Sequence, residues 1–528
     1  MAKRRAVQDK ANRLTRWADG VIGIISPATA LKRQQYRAAA QSTKFNHYAR
    51  SAHDRTRADW YSVQGSADAE ILPDLPGVRG RSRELVSNDS MAASIVQTLV
   101  DNTVGTGIRA QSAPDRRMLN VSDEQVIACR TAAEERWQVW SNECEFTGRH
   151  DLHSLMRLVT RQWIECGEVF LIRNMKRNDP SRSFWTCFDV IDPDRISSPN
   201  NVDRLDTSNG KNQIRSGVEL TSKGIPVAYH VRLGHPGDGI YDTTRSNEWR
   251  RISARDSAGR VNVIHLYRQD RPGQTRGLPW LAPVMGTLDH LARFQEAALV
   301  RERVAACFAA FIVKPEHDMG VPLDATGSSE QRALDLEPGS IEQLLPGEDI
   351  RFPNLGGLGQ DFSSFMNHNM RQVGAALGLP LELFAKDFSQ TNYSSARAAM
   401  IEARRVFQQT QHALMRSVLT PMWNLVFEES YLRGYLGNLP GADADLGPWC
   451  KARWVPPGYG WVDPVKEISA SQSAIEVGVS TLSDEAAAQG RDWEEVLEQQ
   501  AREKQRRLEL GLFPNGVAPN NSEEEQNA

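Results

Sequence analysis

The chain lacks any uninterrupted apolar stretch of about 18 residues, so the sequence predicts no transmembrane helix. The apolar run Val21–Ile25 is too short for the core of a secretory signal, and no such leader is expected. Cysteine is also scarce, and no two cysteines have the CxxC spacing of a zinc-binding knuckle. We therefore expect six reduced, buried thiols: Cys129, Cys144, Cys166, Cys187, Cys307 and Cys450.

Common enzyme signatures are absent as well. The sequence contains no GxxxxGK phosphate-binding loop, no GxSxG nucleophile motif and no HExxH zinc motif. Gly105 and Gly107 form only a fragment of a dinucleotide-binding fingerprint, and they follow a helical pattern rather than a strand. They are interpreted as a helix end. The sequence predicts no enzyme and no cofactor.

Three pairs of polar residues are explained more simply by local structure than by metal binding or catalysis. The histidine pair could bind a metal, but no third and fourth ligands are indicated. The aspartate pair follows a strand-like run and is typical of a turn. The glutamate pair brackets a glycine, and a paired-carboxylate site there is not favoured. No metal site or catalytic residue is predicted among them: His150 with His153, Asp192 with Asp194, and Glu165 with Glu168.

Charge is distributed unevenly, although the formal net charge is only -3. Residues 1–60 carry a charge of about +9, and residues 461–528 carry about -8. The basic arm could contact DNA or an acidic protein surface, or it could be a solvated, partly disordered terminus. A net acidic chain is not suited to gripping DNA over its whole surface, but it could let DNA slide past.

Helical patterns dominate the first part of the chain after residue 80. Residues 66–80 carry two prolines and two glycines and are predicted to form a loop. Apolar spacing predicts helices over Arg81–Val104, with a possible cap or turn at Asn88–Ser90, and over Val121–Trp140 and Leu152–Cys166. Ser122 and Gln125 have the spacing of a capping box at the start of the second helix.

The middle third is predicted to be α+β. Two runs rich in strand-forming residues, Glu168–Arg173 and Phe184–Ile191, are expected to pair. Three more strands are separated by turn sequences such as SNG, KGIP and HPGDG: Gly217–Leu220, Val227–Leu233 and Val261–Tyr267.

Long helices return after residue 280. Leu281–Phe311 is a helix candidate with an alanine-rich second half, and Phe362–Leu377 is another. Between them, Phe311–Lys314 and Ile350–Phe352 flank a Pro/Gly-rich stretch, which indicates a small β module. A third helix is expected over Ser394–Leu432, with a kink at Pro421.

The C-terminal part begins with a strand-like run, Trp449–Trp461. Helices are then expected over Pro464–Val477, Ser483–Gln489 and Trp493–Leu510 in a charged context. Residues 511–528 have the composition of a disordered tail.

Seven stretches, in a fixed order over about residues 80–510, resemble the lambda family of phage portal proteins. The resemblance depends on their order, because each stretch alone is weakly specific. They are Arg81–Gly107 (RSRELVSNDSMAASIVQTLVDNTVGTG), Arg161–Phe170 (RQWIECGEVF), Ile225–Val231 (IPVAYHV), Val263–Gln274 (VIHLYRQDRPGQ), Arg276–Val284 (RGLPWLAPV), Gly378–Asp387 with Asn392–Arg397 (GLPLELFAKD and NYSSAR), and Trp461–Lys466 with Gly478–Leu482 (WVDPVK and GVSTL).

This resemblance implies an α+β, mainly helical portal fold with wing, stem, clip and crown, assembled as a ring. The implied divisions are a basic N-terminal arm (1–65), an α+β wing (66–280), a stem helix (281–311), a small α/β clip (312–361), a second stem helix (362–380), a tunnel-loop region (381–393), a long kinked helix (394–440), a crown (441–510) and a disordered tail (511–528).

The resemblance also implies a mechanical function. A homo-oligomeric ring, expected to be dodecameric, would occupy one capsid vertex of the virion and pass double-stranded DNA during packaging and ejection. It would bind the terminase large subunit, the major capsid and scaffold proteins and later head-completion proteins, with no membrane partner. Assembly is expected in the cytoplasm of the bacterial host.

Two sets of residues are implied to do this work. The first is a mobile tunnel loop facing the DNA channel: Phe384, Lys386, Asp387, Phe388, Ser389, Gln390, Thr391 and Asn392. The second is an acidic edge of the clip that would contact terminase: Glu337, Glu342, Glu348 and Asp349.

Two other functions are weighed against this one. Another head-assembly or connector subunit is the first alternative, but two long helices flanking a small β module are not expected in a major capsid protein. A nucleic-acid enzyme is the second, and it would need clustered carboxylates or a nucleotide-binding lysine motif, neither of which is visible.

Overall fold

The computed structural model describes residues 65–204, 212–238, 247–307, 311–313, 349–351, 360–389, 391–459 and 464–512. The helices before residue 280 are α1 (Ala67–Ile71), α2 (Leu75–Asn88), α3 (Ser90–Val104), α4 (Arg116–Leu119), α5 (Asp123–Ser141) and α6 (Leu152–Cys166). The strands in the same part are β1 (Arg109–Ser112), β2 (Glu168–Met175), β3 (Thr186–Ile191), β4 (Gln213–Arg215), β5 (Val218–Leu220), β6 (Pro226–Arg232), β7 (Trp249–Ser253) and β8 (Val263–Tyr267).

The later elements are again mainly helical. The helices are α7 (Met285–Cys307), α8 (Gln360–Leu377), α9 (Leu381–Ala385), α10 (Tyr393–Leu414), α11 (Thr420–Leu432), α12 (Pro464–Val477), α13 (Leu482–Ala488) and α14 (Trp493–Glu509). The strands are β9 (Phe311–Val313), β10 (Asp349–Arg351) and β11 (Ala452–Val455). The prediction of an α+β chain that is mainly helical is confirmed for the described residues.

The loop predicted for residues 66–80 is wrong, because this stretch forms α1 and the first part of α2. The Ser66 hydroxyl accepts a hydrogen bond from the amide of Ala69 and caps α1. Pro76 lies in the first turn of α2, where a missing amide hydrogen costs no helical hydrogen bond. Proline therefore marks a helix beginning here rather than a loop.

The single helix predicted over Arg81–Val104 is divided at Asp89. This residue is extended, with φ -104° and ψ 122°, and its carboxylate accepts a hydrogen bond of 2.7 Å from the amide of Ala92. The cap allows α2 to end and α3 to begin in a new direction. The predicted capping box of Ser122 and Gln125 on α5 is confirmed.

Two antiparallel sheets form the β part. One has the strand order β3-β2-β8, which confirms the predicted pairing of β2 with β3, and the other has the order β4-β5-β6-β7. A small apolar cluster that includes Phe170, Ile196 and Tyr229 lies between them. Strand β1 pairs with β11, whose partner residues lie about 340 positions later in the chain, and this pairing was not predicted.

The main core is formed by α3, α5, α6, α10 and α11. Four tryptophans lie at its centre, with Trp137 4.7 Å from Trp140 and 5.3 Å from Trp423, measured between side-chain centroids. Trp454 completes the group at 5.7 Å from Trp137. The tryptophans of this group are core anchors, as expected of large, rigid apolar side chains.

Helices α7 and α8 contact each other through aromatic side chains. Phe294 lies 5.3 Å from Phe362 and 5.2 Å from Phe365. Helix α7 begins at Met285, after Pro283, rather than at Leu281 as predicted. Beyond the pair, β9 and β10 are antiparallel, which confirms the two predicted strands that flank residues 314–348. Gln360 and Asp361, also assigned to the clip, belong to α8. Residues 314–348 and 352–359 lie outside the described residues.

The long helix predicted over Ser394–Leu432 is continuous but irregular. A π-helical turn, Met415–Leu419, separates α10 from α11. Pro421 follows this turn and has no amide hydrogen to donate, so the regular ladder of hydrogen bonds is interrupted here. The Thr420 hydroxyl donates to the Met415 carbonyl at 2.9 Å, which satisfies one group at the irregular turn.

The C-terminal helices α12, α13 and α14 have no buried residue among those described. They contact the rest of the molecule through ion pairs and through a close main-chain approach of Gly490 to Gly458. The ion pairs join Arg109 to Glu495 at 3.1 Å and Arg130 to Glu494 at 2.8 Å. Across the described part of the chain, every helix is too short or too polar to span a bilayer.

Candidate functional site

The segment predicted as a tunnel loop begins with a helix. Phe384 lies in α9, is 1% exposed and packs in the main core, so its assignment to a mobile loop is wrong. The Ser94 hydroxyl on α3 donates to the carbonyl of Phe384 at 2.6 Å. The sequence prediction failed here because Pro380 was interpreted only as a helix stop, whereas it also caps the beginning of α9.

The exposed part of the segment starts at Lys386, whose left-handed backbone (φ 55°) ends α9. The Asp387 carboxylate accepts a 3.0 Å hydrogen bond from the amide of Ser389, and hydrogen bonding to Ser389 lowers the pKa of Asp387. The Thr391 hydroxyl donates to the carbonyl of Phe388 at 2.9 Å. Phe388 itself is 51% exposed. This segment is shaped by its own hydrogen bonds rather than by packing.

The segment ends at Asn392, whose side chain caps α10 by accepting a 2.8 Å hydrogen bond from Ser395. Asn392 therefore belongs to the helix end as well as to the exposed segment. Gln390 lies outside the described residues. The exposed polar segment is thus confined to Lys386–Asn392, and its exposed side chains include one cation, Lys386, beside one anion, Asp387.

Of the four acidic residues predicted for the clip edge, only Asp349 is placed. It is the first residue of β10 and pairs with Val313 of β9. Glu337, Glu342 and Glu348 lie outside the described residues, so the acidic edge remains a prediction.

A buried charge cluster lies where the β part meets the beginning of α7. Its centre is Glu168, the first residue of β2, whose side chain is 0% exposed. The Oε1 atom accepts hydrogen bonds from Arg79 on α2 and, at 2.7 Å, from Nε of Arg276. The Oε2 atom accepts from His265 on β8 and from the amide of Gly277, both at 2.9 Å. One carboxylate thus accepts four hydrogen bonds from three chain segments: α2, β8 and the connection to α7.

The charges of this cluster fix its protonation states. Burial alone would raise the pKa of the Glu168 carboxyl, but Arg276, Arg79 and the hydrogen bond from His265 outweigh it and hold that pKa well below its usual range. Burial lowers the pKa of His265 despite the attraction of Glu168. Because a carboxylate only accepts, Nε2 of the neutral imidazole must carry the hydrogen.

Arg276 extends the cluster into the second sheet. It is 1% exposed, and it donates to the carbonyls of Pro193 and Ile196, each at 2.9 Å, and to the carbonyl of Ser216. A guanidinium has five hydrogen-bond donors in a fixed plane, so these acceptors hold Arg276 in one orientation. The connection from the two sheets to α7 therefore has a defined geometry.

Residues 274–281, which connect β8 to α7, are almost entirely buried although they form no helix or strand. Two carboxylates accept from their backbone amides: Asp68 from Thr275 at 2.7 Å and Glu168 from Gly277 at 2.9 Å. The amide of Trp280 donates to the carbonyl of Ile164 at 3.1 Å. A buried irregular segment needs such partners, because each unpaired backbone group would cost free energy.

A third group, Asp192, Asp194 and His235, places its ligand-type atoms within 4.8 Å of one another. Arg83 donates to both carboxylates, at 2.9 Å to Asp192, so a guanidinium already occupies the position where a cation would bind. The Asp192 carboxylate also accepts from the amide of Asp194, which confirms the predicted turn. His150 and His153 belong to no group of three such side chains in the described part of the chain.

The two glutamates considered together in the sequence have separate environments. Glu165 is paired with Arg161 on the same helix at 3.5 Å, whereas Glu168 faces the buried cluster. The cysteines are mostly inert: Cys129, Cys144, Cys166 and Cys187 are buried, and burial raises the pKa of Cys166 to about 12. Cys450 is only partly buried.

Sequence reasoning missed the role of Glu168, because its partners lie 89 to 109 residues away. One signal was available. The family-like stretch Arg161–Phe170 lies more than 90 residues before the adjoining stretches Val263–Gln274 and Arg276–Val284, and the cluster is where all three meet.

Comparison with known proteins gives a consistent result. The family described as "Phage portal protein, lambda family" matches residues 53–411. The portal protein of Escherichia phage N15 is 27% identical over 507 residues, covering 89% of this chain and 93% of the relative. Portal protein B of Escherichia phage lambda is 27% identical, covering 86% and 88%. A probable portal protein of Halomonas phage phiHAP-1 is 26% identical, covering 85% and 84%.

Among solved structures, a chain of the virion of a native gene transfer agent particle covers 79% of this chain and 93% of its own length. It is 14% identical, with a TM-score of 0.40. A chain of the neck of the same kind of particle gives a TM-score of 0.41.

Proposed function

Because the chain belongs to the lambda family of phage portal proteins, we propose that it forms a closed ring at one capsid vertex, through which double-stranded DNA enters and leaves the head. Portal proteins are structural components of the virion, and we propose that this chain catalyses no reaction of its own. The terminase large subunit would supply the energy for packaging. Assembly would take place in the host cytoplasm with the major capsid and scaffold proteins.

The observation that carries the ring proposal is the exposed apolar surface of α7 and α8. Four large apolar side chains on these helices are 41–64% exposed in the single chain: Phe294, Leu299, Val300 and Phe365. Exposed apolar side chains grouped on two neighbouring helices favour burial against another protein surface. A ring of identical subunits would bury them by a repeated head-to-tail contact that closes by rotation.

The proposed channel contacts are few and weak. Lys386 can attract a phosphate, but Asp387 lies next to it, and both side chains are exposed to salt. Such contacts carry no sequence information and allow DNA to slide. The clip, residues 312–361, would bind terminase first and head-completion proteins later through its acidic edge.

The ring can be tested with one substitution in α7 and a matched control. Leu299→Glu places a charge in the proposed subunit contact, while Gln138→Glu adds the same charge at an exposed polar position of α5, outside α7 and α8. We expect native mass spectrometry and electron micrographs to find rings with a central hole for the wild type and for Gln138→Glu, and monomers for Leu299→Glu. A wild type that stays monomeric across salt and pH would refute the proposal.

A further inference from the structure

The buried charge cluster lies at the base of α7, where this long helix leaves the core. The beginning of α7 is fixed in the core, since Leu281 and Val284 just before the helix and Leu288 and Leu291 in its first turns are 0–3% exposed. Beyond Leu291 the helix continues for 16 residues, most of whose described side chains are exposed. At 1.5 Å per residue this part spans about 24 Å, so a turn of about 10° at its base would move its far end by about 4 Å.

The contacts at the base of α7 fix the orientation of the helix as well as its attachment to the core. Burying two arginines with one carboxylate brings a desolvation cost that offsets much of the ionic attraction, and an apolar contact of similar size would stabilise the fold as well. The arrangement differs from an apolar contact in its angular requirement, because hydrogen bonds weaken steeply away from their preferred geometry. Glu168 accepts four hydrogen bonds from side chains and backbone on three segments, so few orientations satisfy it.

The backbone also restricts the orientation of the connection to α7. Gly167 precedes Glu168 and has φ +85°, and a β-carbon there would overlap the peptide of Leu278. Two chain segments thus touch through their main chains, with no side chain between them to deform. On the other side, Trp280 packs edge-on against Trp163 at 5.3 Å.

We infer that Glu168 is a positioning residue, which fixes the angle between the two sheets and the helix pair and thereby the number of subunits in the ring. The inference rests on the proposed ring. In such a ring, the sheets and the helices of one subunit would both contact the neighbour, and both contacts must close with the same rotation. That rotation is about 30° per subunit for a ring of twelve and about 28° for thirteen. A change of a few degrees at Glu168 is therefore enough to alter closure.

The test compares Glu168→Gln with Glu429→Gln. Glu429 is also a buried carboxylate, and it accepts from the amides of Trp185 and Thr186 at 2.7 and 3.0 Å, but it joins α11 to β3 and has no contact with the connection to α7. Both substitutions should lower the thermal midpoint. Charge-detection mass spectrometry and image classes of purified rings then give the distribution of subunit numbers, which a purely stabilising residue would not change.

We expect Glu168→Gln to broaden the distribution from one subunit number to two or more, and Glu429→Gln to leave it as in the wild type. If Glu168→Gln does not fold, His265→Gln serves instead, because it keeps every charge and one donor toward Oε2. Rings with the wild-type distribution in the folded Glu168 or His265 variant would overturn the inference. A wild type without rings would overturn the proposed function itself, which is a separate result.

Discussion

The main chain of Gly277 crosses that of Gly167 so closely that a β-carbon added to Gly277 would overlap the carbonyl oxygen of Gly167. The same β-carbon would lie 2.8 Å from Cβ of Tyr267. Neither neighbour can move freely, because Gly277 donates to the buried carboxylate of Glu168.

Substitution of Gly277 by alanine should therefore be strongly destabilising. We expect a loss of about 3 kcal/mol, the upper range for overpacking a buried site, since backbone must shift to admit the methyl group. Gly80→Ala is the control, because Gly80 is an exposed helical residue with no neighbouring atom within 4 Å of an added β-carbon. That change should stabilise α2 by about 0.5–1 kcal/mol. Denaturant midpoints of the two variants should shift in opposite directions, and equal shifts would contradict the crossing.

The stability of the folded chain should decrease in two stages as the pH is lowered. The pKa of His265 is lowered by burial, so below its ordinary value of 6.5 the unfolded chain binds a proton that the folded chain does not. The pKa of Glu168 is also lowered, because of the arginines, so its contribution is present above the ordinary value of 4.5 and is lost as the pH falls further. The thermal midpoint should decline from about pH 6.5 downward and more steeply below pH 4.5.

The variant His265→Gln tests the upper stage. It should reduce the slope between pH 6.5 and 5 by up to about 1.4 kcal/mol per pH unit, the value for one proton. The charged groups that face His265 are Glu168, Arg79 and Arg276, and Tyr229 and Tyr267 flank its imidazole. His230, whose pKa is also lowered, mainly by burial, remains in the variant and leaves part of the slope. An unchanged profile would show that folding does not lower the pKa of His265.

Replacement of residues 387–391 by Gly and Ser should leave folding and ring formation intact. These residues make hydrogen bonds mainly with one another, while Phe384 and Asn392, which the core and α10 need, are retained. DNA packaging or retention of the packaged genome should decrease if the segment faces the channel. The measurement is nuclease-protected DNA per head. Full packaging with normal infectivity would make the segment a simple connector.

Charge reversal at the clip should separate assembly from docking. Glu337→Lys, Glu342→Lys, Glu348→Lys and Asp349→Lys together should keep the ring but abolish pull-down of terminase, since a basic partner surface would be repelled. The control reverses two exposed charges on α5, Glu124→Lys and Glu135→Lys, and should not affect pull-down. If the clip variant still pulls down terminase, the acidic edge is not the contact.

The sequence predicted elements well wherever the information was local. Apolar spacing located α5, α6 and the helices α7, α8 and α10, and strand-forming residues located β2 and β3. It failed for residues 66–80, where proline and glycine lie within α2 and mark its first turn rather than a loop. It also failed for Phe384. The polar residues that follow it indicated an exposed loop, whereas its side chain is buried in the core.

The candidate site was less predictable, because its geometry is a product of distant contacts. No local pattern distinguishes Glu168, which binds residues 89 to 109 positions away, from Glu165, which binds its own helix. The pairing of β1 with β11 likewise joins residues that are far apart in the sequence. Resemblance to a family placed these stretches in order along the chain, but only the folded structure brings them together.

The C-terminal helices illustrate how solvent composition can control position. Their attachment includes ion pairs with exposed partners, such as Arg109 with Glu495 and Arg453 with Asp484, in which each side chain is 46–69% exposed. The Debye length falls from about 10 Å at 0.1 M salt to about 3 Å at 1 M, and exposed pairs weaken accordingly. The buried cluster around Glu168 is screened far less. Raising the ionic strength should therefore weaken the exposed ion pairs that attach residues 464–512, while the buried cluster is affected far less.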